Sequence, residues 1–396
     1  MIKSGGTDYG MIYLTNLVNE FVGSLYFDDA LQVPGTYGAT GSGCTYTNDN
    51  RFAGAGVLNV VGGGDSWNND ADGDWSTSGN WLNNVIATGA YRTAYFTNNI
   101  TADRYVNADY VNMSLGGLYF GSPANNWYVT NAIMNLVNYG IPTITVAANA
   151  ATLSNAINSA QGLVKEGTGT LNISGVATCG VSASVRSGIM NISGAAALRA
   201  YPNTFALYVG DASGKTGTLN ITDNVLLFSN NLHIASGGNS AGNMNVAGVS
   251  TVAVQNITLG GGTNSAAMLN VAGSSIVTGQ TIIVGNNTNA LATLNVSGSA
   301  VLTGSVITVA NSARSTGTLN ISNGTVNAFT LTLTGPLATN STATLNLIGG
   351  TLNVGYGGYT SVGGGIVTNG PAGATNQVFL SGGALGPLTN YLNCPV

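Results

Sequence analysis

Residues 269–296 read LNVAGSSIVTGQTIIVGNNTNALATLNV, and this run begins and ends with the same tripeptide, Leu-Asn-Val. The tripeptide recurs along the chain, with Met in place of Leu, or Ile or Leu in place of Val, in some copies. The asparagine positions are Asn220, Asn245, Asn270, Asn295 and Asn320, with a further copy at Asn346. Because the first five copies lie 25 residues apart without a slip, the sequence predicts a repeat architecture instead of a conventional globular domain.

Each period also contains two further short apolar segments, which are Ile276-Val277 and Ile282-Ile283-Val284 in the quoted run. The segments are rich in β-branched residues and are separated by Gly, Asn and Ser, a pattern typical of short strands. They have neither the length nor the spacing of a helix. Three short strands in about 25 residues predict one coil of a right-handed parallel β-helix, an all-β solenoid whose coils stack about 4.8 Å apart.

Stacked coils place equivalent residues in columns along the solenoid axis. We expect the Leu and Val or Ile columns to fill the interior and the asparagine column to form an outward ladder of amide hydrogen bonds. A charged column would be costly, because like charges would lie one strand spacing apart. The composition agrees with this expectation, because charged residues make up 6% of the chain and Arg314 is the only one after residue 223.

The charge balance argues against several classes of function. The chain has 9 Lys and Arg against 14 Asp and Glu, so it lacks the basic surface with which proteins bind nucleic acid or anionic membranes. No apolar run is long enough to span a membrane. The three cysteines, Cys44, Cys179 and Cys394, are too few and too scattered to predict a disulfide framework or a zinc cluster.

Composition and pattern divide the chain into four segments. We expect residues 1–63 to be the end of a preceding β-helix array, and residues 64–161 to be a Trp-containing β segment continuous with the solenoid. Residues 162–370 hold the regular coils, and residues 371–396 form a terminal strand and loop. The first residues do not resemble a signal peptide, so we expect the chain to be a fragment of a longer protein.

Residues 162–175 read GLVKEGTGTLNISG, residues 74–81 read DWSTSGNW, and residues 115–121 read LGGLYFG. Together these motifs resemble the autotransporter-associated β-strand repeat family, whose members are large bacterial surface or secreted proteins with pectin-lyase-like β-helices. The resemblance implies a passenger, stalk or adhesin role outside the cell or on the bacterial cell surface. It carries over no catalytic residue.

A cluster of acidic residues matches the first half of a calcium-binding loop. Asn68, Asp70, Asp72 and Asp74 alternate along the chain, as the first ligands of such a loop do. The acidic residue required at the twelfth position is replaced by Gly79. The four residues are therefore candidate Ca²⁺ ligands, and an acidic, solvated turn is the competing and favoured interpretation.

Two other features could suggest chemistry, but neither predicts a site. His233, the only histidine, lies in the middle of a strand triplet, so its side chain should face outward. It lacks the orienting acid and the nucleophile of a catalytic triad. Gly214-Lys215-Thr216 lacks the glycine spacing of a phosphate-binding loop and precedes a strand instead of a helix. We therefore expect no catalytic residue, and no cofactor other than the candidate Ca²⁺.

These observations predict a non-catalytic extracellular stalk with a structural or adhesive role, or a filament subunit that assembles head-to-tail. Segments 11–14 and 377–380 look like pairable strands without caps, which favours self-association. The alternative is a β-helix protein that binds or degrades polysaccharide, with exposed aromatic residues as its sugar-binding surface. The aromatic candidates are Trp67, Trp75, Trp81 and Trp127.

Overall fold

The chain folds almost entirely into β-structure. The computed structural model describes residues 10–16, 18–22, 25–27, 30–32, 35–60, 65–138, 140–194, 197–200, 205–355, 366–368 and 370–385. These residues contain 38 strands and two 3-10 helices, Ser78–Asn80 and Leu82–Asn84. Within this part of the chain, no helix is long and apolar enough to cross a membrane.

The described residues between 10 and 60 form a unit with its own small core. The strands are β1 (Ile12–Tyr13), β2 (Asn19–Val22), β3 (Tyr26–Phe27), β4 (Ala30–Leu31), β5 (Gly35–Gly38), β6 (Tyr46–Thr47), β7 (Phe52–Ala53) and β8 (Val57–Val60). Strand β1 pairs in parallel with β7, and β2 pairs in parallel with β8, as strands do in stacked coils. The core residues are Leu14, Tyr37, Phe52, Leu58 and Val60.

The first coils of the main solenoid follow, and they are irregular in length. The strands are β9 (Gly73–Asp74), β10 (Thr93–Phe96), β11 (Arg104–Leu115), β12 (Gly117–Phe120), β13 (Trp127–Leu136), β14 (Thr143–Val146), β15 (Ala150–Leu153), β16 (Ala156–Ser159), β17 (Leu163–Glu166), β18 (Thr170–Ile173), β19 (Ala177–Cys179), β20 (Ser182–Val185), β21 (Gly188–Ile192), β22 (Ala197–Ala200) and β23 (Ala206–Val209). Thr152, Asn172, Asn191 and Asn220 pair in successive coils, although their positions differ by 20, 19 and 29 residues.

Regular coils begin at residue 216. The strands are β24 (Thr216–Ile221), β25 (Leu226–Ile234), β26 (Ala241–Val246), β27 (Thr251–Leu259), β28 (Ala266–Val271), β29 (Ile276–Val284), β30 (Leu291–Ser297), β31 (Val301–Val309), β32 (Thr316–Ser322), β33 (Thr325–Leu333), β34 (Thr342–Ile348), β35 (Thr351–Val354), β36 (Ile366–Val367), β37 (Thr375–Ser381) and β38 (Ala384–Leu385). Strands β9 to β38 form one 30-stranded sheet, in which neighbouring coils pair in parallel.

The parallel strands stack as a β-solenoid of about ten turns, which confirms the predicted all-β, parallel β-helix fold. Its right-handed sense remains a prediction. Each coil from β24 to β33 has two strands instead of the predicted three. The two further apolar segments of each of these periods belong to one continuous strand. In β29, alternating burial of Val277, Ile282 and Val284 is interrupted around Gln280, where the coil turns a corner. Pairing with β31 continues on both sides of this corner, so the backbone stays extended.

Columns of apolar side chains fill the interior of the regular coils. Leu219, Met244, Leu269, Leu294 and Leu319 pair in successive coils, and each is fully buried. A buried aliphatic side chain stabilises a fold by about 1.5–3 kcal/mol relative to an exposed one. The repeated apolar positions therefore supply the driving force that holds the coils in register.

The tight turns of the regular coils use a left-handed backbone conformation. Asn239, Asn264 and Asn289 have φ values of 54°, 54° and 56°. Asparagine tolerates this region better than most residues. In the next coil Arg314 takes the equivalent position with φ of 55°, and its side chain is exposed. The one charge of the C-terminal coils therefore lies in a turn and not in a stacked strand.

Candidate functional site

The predicted asparagine ladder is present and extends over eight residues. The members are Asn172, Asn191, Asn220, Asn245, Asn270, Asn295, Asn320 and Asn346. Each Nδ2 after the first donates to the Oδ1 of the preceding coil at 2.6–2.7 Å. The ladder starts where Asn172 donates to Thr152 Oγ1 at 3.2 Å. All amides point the same way, so the column satisfies its polar groups without charge.

Shorter amide ladders run along other columns of the solenoid. Their links are Asn231–Asn256, Asn239–Asn264, Asn264–Asn289, Asn286–Asn311 and Asn327–Asn353, at 2.8–3.2 Å. Sequence reasoning missed these ladders, although their members also lie 25 or 26 residues apart. A search for asparagine pairs at the repeat spacing would have found them. The amide surface is therefore distributed around the coil instead of being confined to one line.

The main ladder column is aromatic at both ends. Tyr105 and Tyr128 precede Thr152 in this column and stack with ring centroids 4.6 Å apart. At the other end Asn346 pairs with Phe379, whose side chain has no amide to extend the ladder. The amide column therefore ends at Asn346 in β34, and β37 does not extend it.

Among the described residues, strand β37 forms an open edge of the solenoid. Val378 and Leu380 continue the interior columns of Leu345 and Leu347, but they are 46% and 57% exposed where their partners are at most 1% exposed. Among the described strands, β37 pairs with β34 alone. The C-terminal end of the described solenoid therefore presents unpaired backbone groups beside apolar side chains.

The four candidate calcium ligands do not converge on one metal position. Asp70 accepts hydrogen bonds from the Thr101 backbone N–H at 3.0 Å and pairs with Arg104 at 2.8 Å. The Thr101 bond is the largest cause that lowers the pKa of Asp70, followed by Arg104. Asp72 accepts from the Tyr105 N–H at 2.9 Å.

The side chain of Asp74 is also engaged locally, and Asn68 is bonded through its backbone. Asp74 accepts from Asn107 Nδ2 at 2.7 Å, and the backbone N–H of Asn68 donates to Asn80 at 2.8 Å. No group of three or more His, Cys, Asp and Glu side chains in the described ranges is arranged to hold a metal ion. These carboxylates thus tie the loop to β11 and the residues before it, and calcium binding stays a prediction.

The four tryptophans are core residues and do not form a surface. Trp67, Trp75, Trp81 and Trp127 are each at most 2% exposed. They pack around Phe96, with the ring centroids of Trp127 and Phe96 5.1 Å apart. The indole N–H groups of the first three donate to backbone carbonyls. The prediction of an exposed sugar-binding surface at these residues is wrong, because no repeat period in this segment indicates which side chains point inward.

Lys165 is a buried cation that sequence reasoning did not detect. It is fully buried in an interior column, between Ile144 of the preceding coil and Val185 of the next. Its Nζ donates to three backbone carbonyl oxygens, those of Glu166, Gly167 and Ser187, at 2.7–2.9 Å. Burial lowers the pKa of Lys165 to about 8, and the charge of Glu166 acts in the opposite direction. The Lys165 ammonium group therefore links backbone carbonyls of two successive coils from the interior.

One outward face of the coils between residues 166 and 233 brings charged, phenol and imidazole groups together. This polar face spans four successive coils, and its members are Glu166, Ser184, Arg186, Tyr208, Asp211 and His233. His233 faces outward between the buried Leu232 and Ile234. Its ring stacks on Tyr208 with centroids 5.1 Å apart and an angle of 15° between the planes. Burial lowers the pKa of His233, which favours the neutral imidazole.

Comparisons of the chain with protein-family models, with curated proteins and with solved structures found no match. The resemblance to autotransporter-associated repeats therefore remains an expectation from the sequence motifs.

Proposed function

We propose that this chain is a non-catalytic structural module of an extracellular or cell-surface protein, a stalk or filament subunit that assembles head-to-tail. Interior columns and amide ladders connect each coil to the next along the axis. Such a stack resists bending because every coil is bonded to its neighbours by strand pairing and side chains. The surface relies on amides and hydroxyls, with charged residues at 6% of the chain.

The open edge at β37 is the observation that carries the proposal. A strand with one unpaired edge beside exposed apolar residues is a template for pairing with another chain. Val378 and Leu380 occupy interior columns, so the addition of another coil would bury them as Leu345 and Leu347 are buried. The occupant that matches this edge is a second copy of the same solenoid.

The N-terminal unit offers the complementary edge. Strands β1 and β2 each pair with a single strand among those described, and both pairings are parallel. Met11 and Tyr13 are 55% and 72% exposed beside this edge. A contact between the β37 edge of one copy and the β2 edge of the next is heterologous, so it leaves free edges and propagates into filaments. The low net charge of −5 provides little repulsion against such growth.

Light scattering over a range of protein concentrations, followed by electron microscopy, tests the proposal. The wild-type chain should grow into filaments as its concentration rises. Leu380→Lys should stop this growth, because it places a charge in the column that the next copy must cover. Val249→Lys is the matched control, since Val249 is equally exposed at 55% but lies in a turn on the side of the rod.

A wild-type chain that stays monomeric at high concentration would contradict head-to-tail assembly. Equal loss of growth in both lysine variants would also contradict it, because the added charge alone would then explain the effect. Circular dichroism of each variant should show the β-structure of the wild type, since both substitutions are at exposed positions.

A further inference from the structure

The polar face differs from the coils that follow it in the types of residue that it presents. From residue 224 to the end, the sequence contains one charged side chain, Arg314. By contrast, the four coils from Glu166 to His233 place two carboxylates, a guanidinium group, a phenol and an imidazole on one outward face. Charges in a stacked solenoid are costly unless they are paired. Their concentration on one face therefore needs an explanation beyond coil stacking.

Arg186 is held loosely compared with the other paired arginines. Arg92 and Arg104 contact their carboxylates at 2.6 and 2.8 Å. Arg186 approaches Glu166 at 3.6 Å and Asp211 at 3.5 Å, which are longer than charge-assisted hydrogen bonds. The guanidinium group has five N–H donors in a fixed plane. These separations keep the charges together and leave N–H donors able to bind another acceptor.

The carboxylates beside Arg186 are held in place by serines. Ser184 is 4% exposed and donates through Oγ to Asp211 at 2.6 Å. Ser187 is 8% exposed and donates to Glu166 at 3.1 Å. Each carboxylate has further lone pairs that can accept hydrogen bonds. The side chains of Glu166, Arg186 and Asp211 are 33%, 39% and 18% exposed, so a ligand can reach them from solvent.

The aromatic pair adjoins these charged groups. His233 stacks on one side of the Tyr208 ring. On the other side the neighbour in the column is Ser184, which is buried. The Tyr208 side chain is half-buried, so the exposed part of its ring lies next to the hydrogen-bonding groups of Arg186 and Asp211. Polar groups beside an aromatic face are the combination that sugars require, since sugars carry both hydroxyl groups and apolar C–H surfaces.

We infer that the polar face binds a neutral polysaccharide. Sugar hydroxyls can donate to Glu166 and Asp211 and accept from Arg186, while a sugar ring packs on Tyr208. The two carboxylates outweigh the guanidinium charge, so the face disfavours acidic glycans. Four coils extend over about 14 Å along the axis, which suits a short stretch of an extended glycan chain running across the strands.

Isothermal titration calorimetry with defined oligosaccharides tests the inference. The probes are neutral hexasaccharides of glucose, mannose or N-acetylglucosamine and, for comparison, an acidic hexasaccharide of galacturonate. At least one neutral probe should bind, and the acidic probe should bind more weakly. Tyr208→Ala should weaken neutral binding by about tenfold, and Tyr208→Phe should retain it because the ring remains.

Tyr105→Ala is the matched control. Tyr105 is also a tyrosine in a stacked ring pair, with Tyr128 as its partner, and is 51% exposed, but it lies in the column of the asparagine ladder. Its substitution should leave sugar affinity unchanged. The inference is overturned if no neutral probe binds, if the acidic probe binds more tightly, or if both alanine variants lose affinity equally.

This inference is independent of filament assembly. Leu380→Lys leaves the polar face intact, so that variant should bind the neutral sugar like the wild type. Failure of sugar binding would leave the assembly result unaffected, and failure of assembly would leave the sugar result unaffected.

Discussion

Removal of one amide side chain from the middle of the main ladder should lower the free energy of unfolding more than removal of one from the end of the ladder. Asn270 donates to Asn245 and accepts from Asn295, both at 2.6 Å. Asn346 donates to Asn320 at 2.7 Å, but its next neighbour in the column is Phe379. Asn270→Ala therefore breaks two amide hydrogen bonds, and Asn346→Ala breaks one.

The expected difference follows from the net value of a hydrogen bond. At about 1 kcal/mol for each bond, Asn270→Ala should lower the free energy of unfolding by about 2 kcal/mol and Asn346→Ala by about 1 kcal/mol. Both residues lie near the C-terminal end of a strand between two buried aliphatic residues, so the change in strand propensity largely cancels in the comparison.

Urea unfolding, followed by far-ultraviolet circular dichroism, measures this difference as a shift of the midpoint. The midpoint of Asn270→Ala should lie below that of Asn346→Ala, and both should lie below that of the wild type. Equal midpoints for the two variants would refute the reasoning, because the loss would then not depend on the number of amide bonds. Wild-type midpoints for both variants would show that strand pairing alone carries the stability.

Other predictions concern the core, the buried lysine, calcium and catalysis. Leu269→Asp should cost several kcal/mol in urea unfolding because it buries an unpaired charge, whereas Thr258→Ser should have almost no effect. The pKa of Lys165 is lowered from 10.5 to about 8, so the unfolded chain binds more protons between these pH values. Stability should therefore rise with pH across this window, and Lys165→Met should remove that rise. Asp70→Asn should lower the thermal midpoint by the same amount in calcium and in chelator, and a rise with calcium that needs Asp70 would establish a metal site. Incubation with neutral or acidic polysaccharides should give no cleavage products, and turnover abolished by Asp211→Asn would identify an enzyme.

The repeat period made a large part of the fold predictable. When coils pair in register, residue i lies beside residue i + 25, so columns can be derived from sequence positions alone. The buried Leu269 column and the amide column of Asn270 both follow from this rule. The merging of two short segments into β29 did not follow, because the chain keeps its pairing through the corner near Gln280.

Residue spacing was less informative where no repeat period applied. The alternating acids around Asp72 match half of a calcium loop, and only the parallel pairing of β9 with β11 shows the backbone and side-chain donors that contact them. Lys165 occupies an interior column despite its charge, because three carbonyl oxygens at the corner accept its N–H groups. The tryptophans, which the sequence left as candidates for an exposed sugar-binding surface, fill the core.

The repeated tripeptide alone was enough to establish the solenoid, its interior columns and its principal amide ladder, because identical spacing places identical residues together. The polar face could not be derived in this way. Coils before residue 216 differ in length, with successive equivalent positions 20, 19 and 29 residues apart. Only the strand register shows that Ser184 lies beside Tyr208 and that Arg186 lies between Glu166 and Asp211. Where coil lengths vary, hydrogen-bond pairing between strands determines which side chains meet, and sequence distance does not.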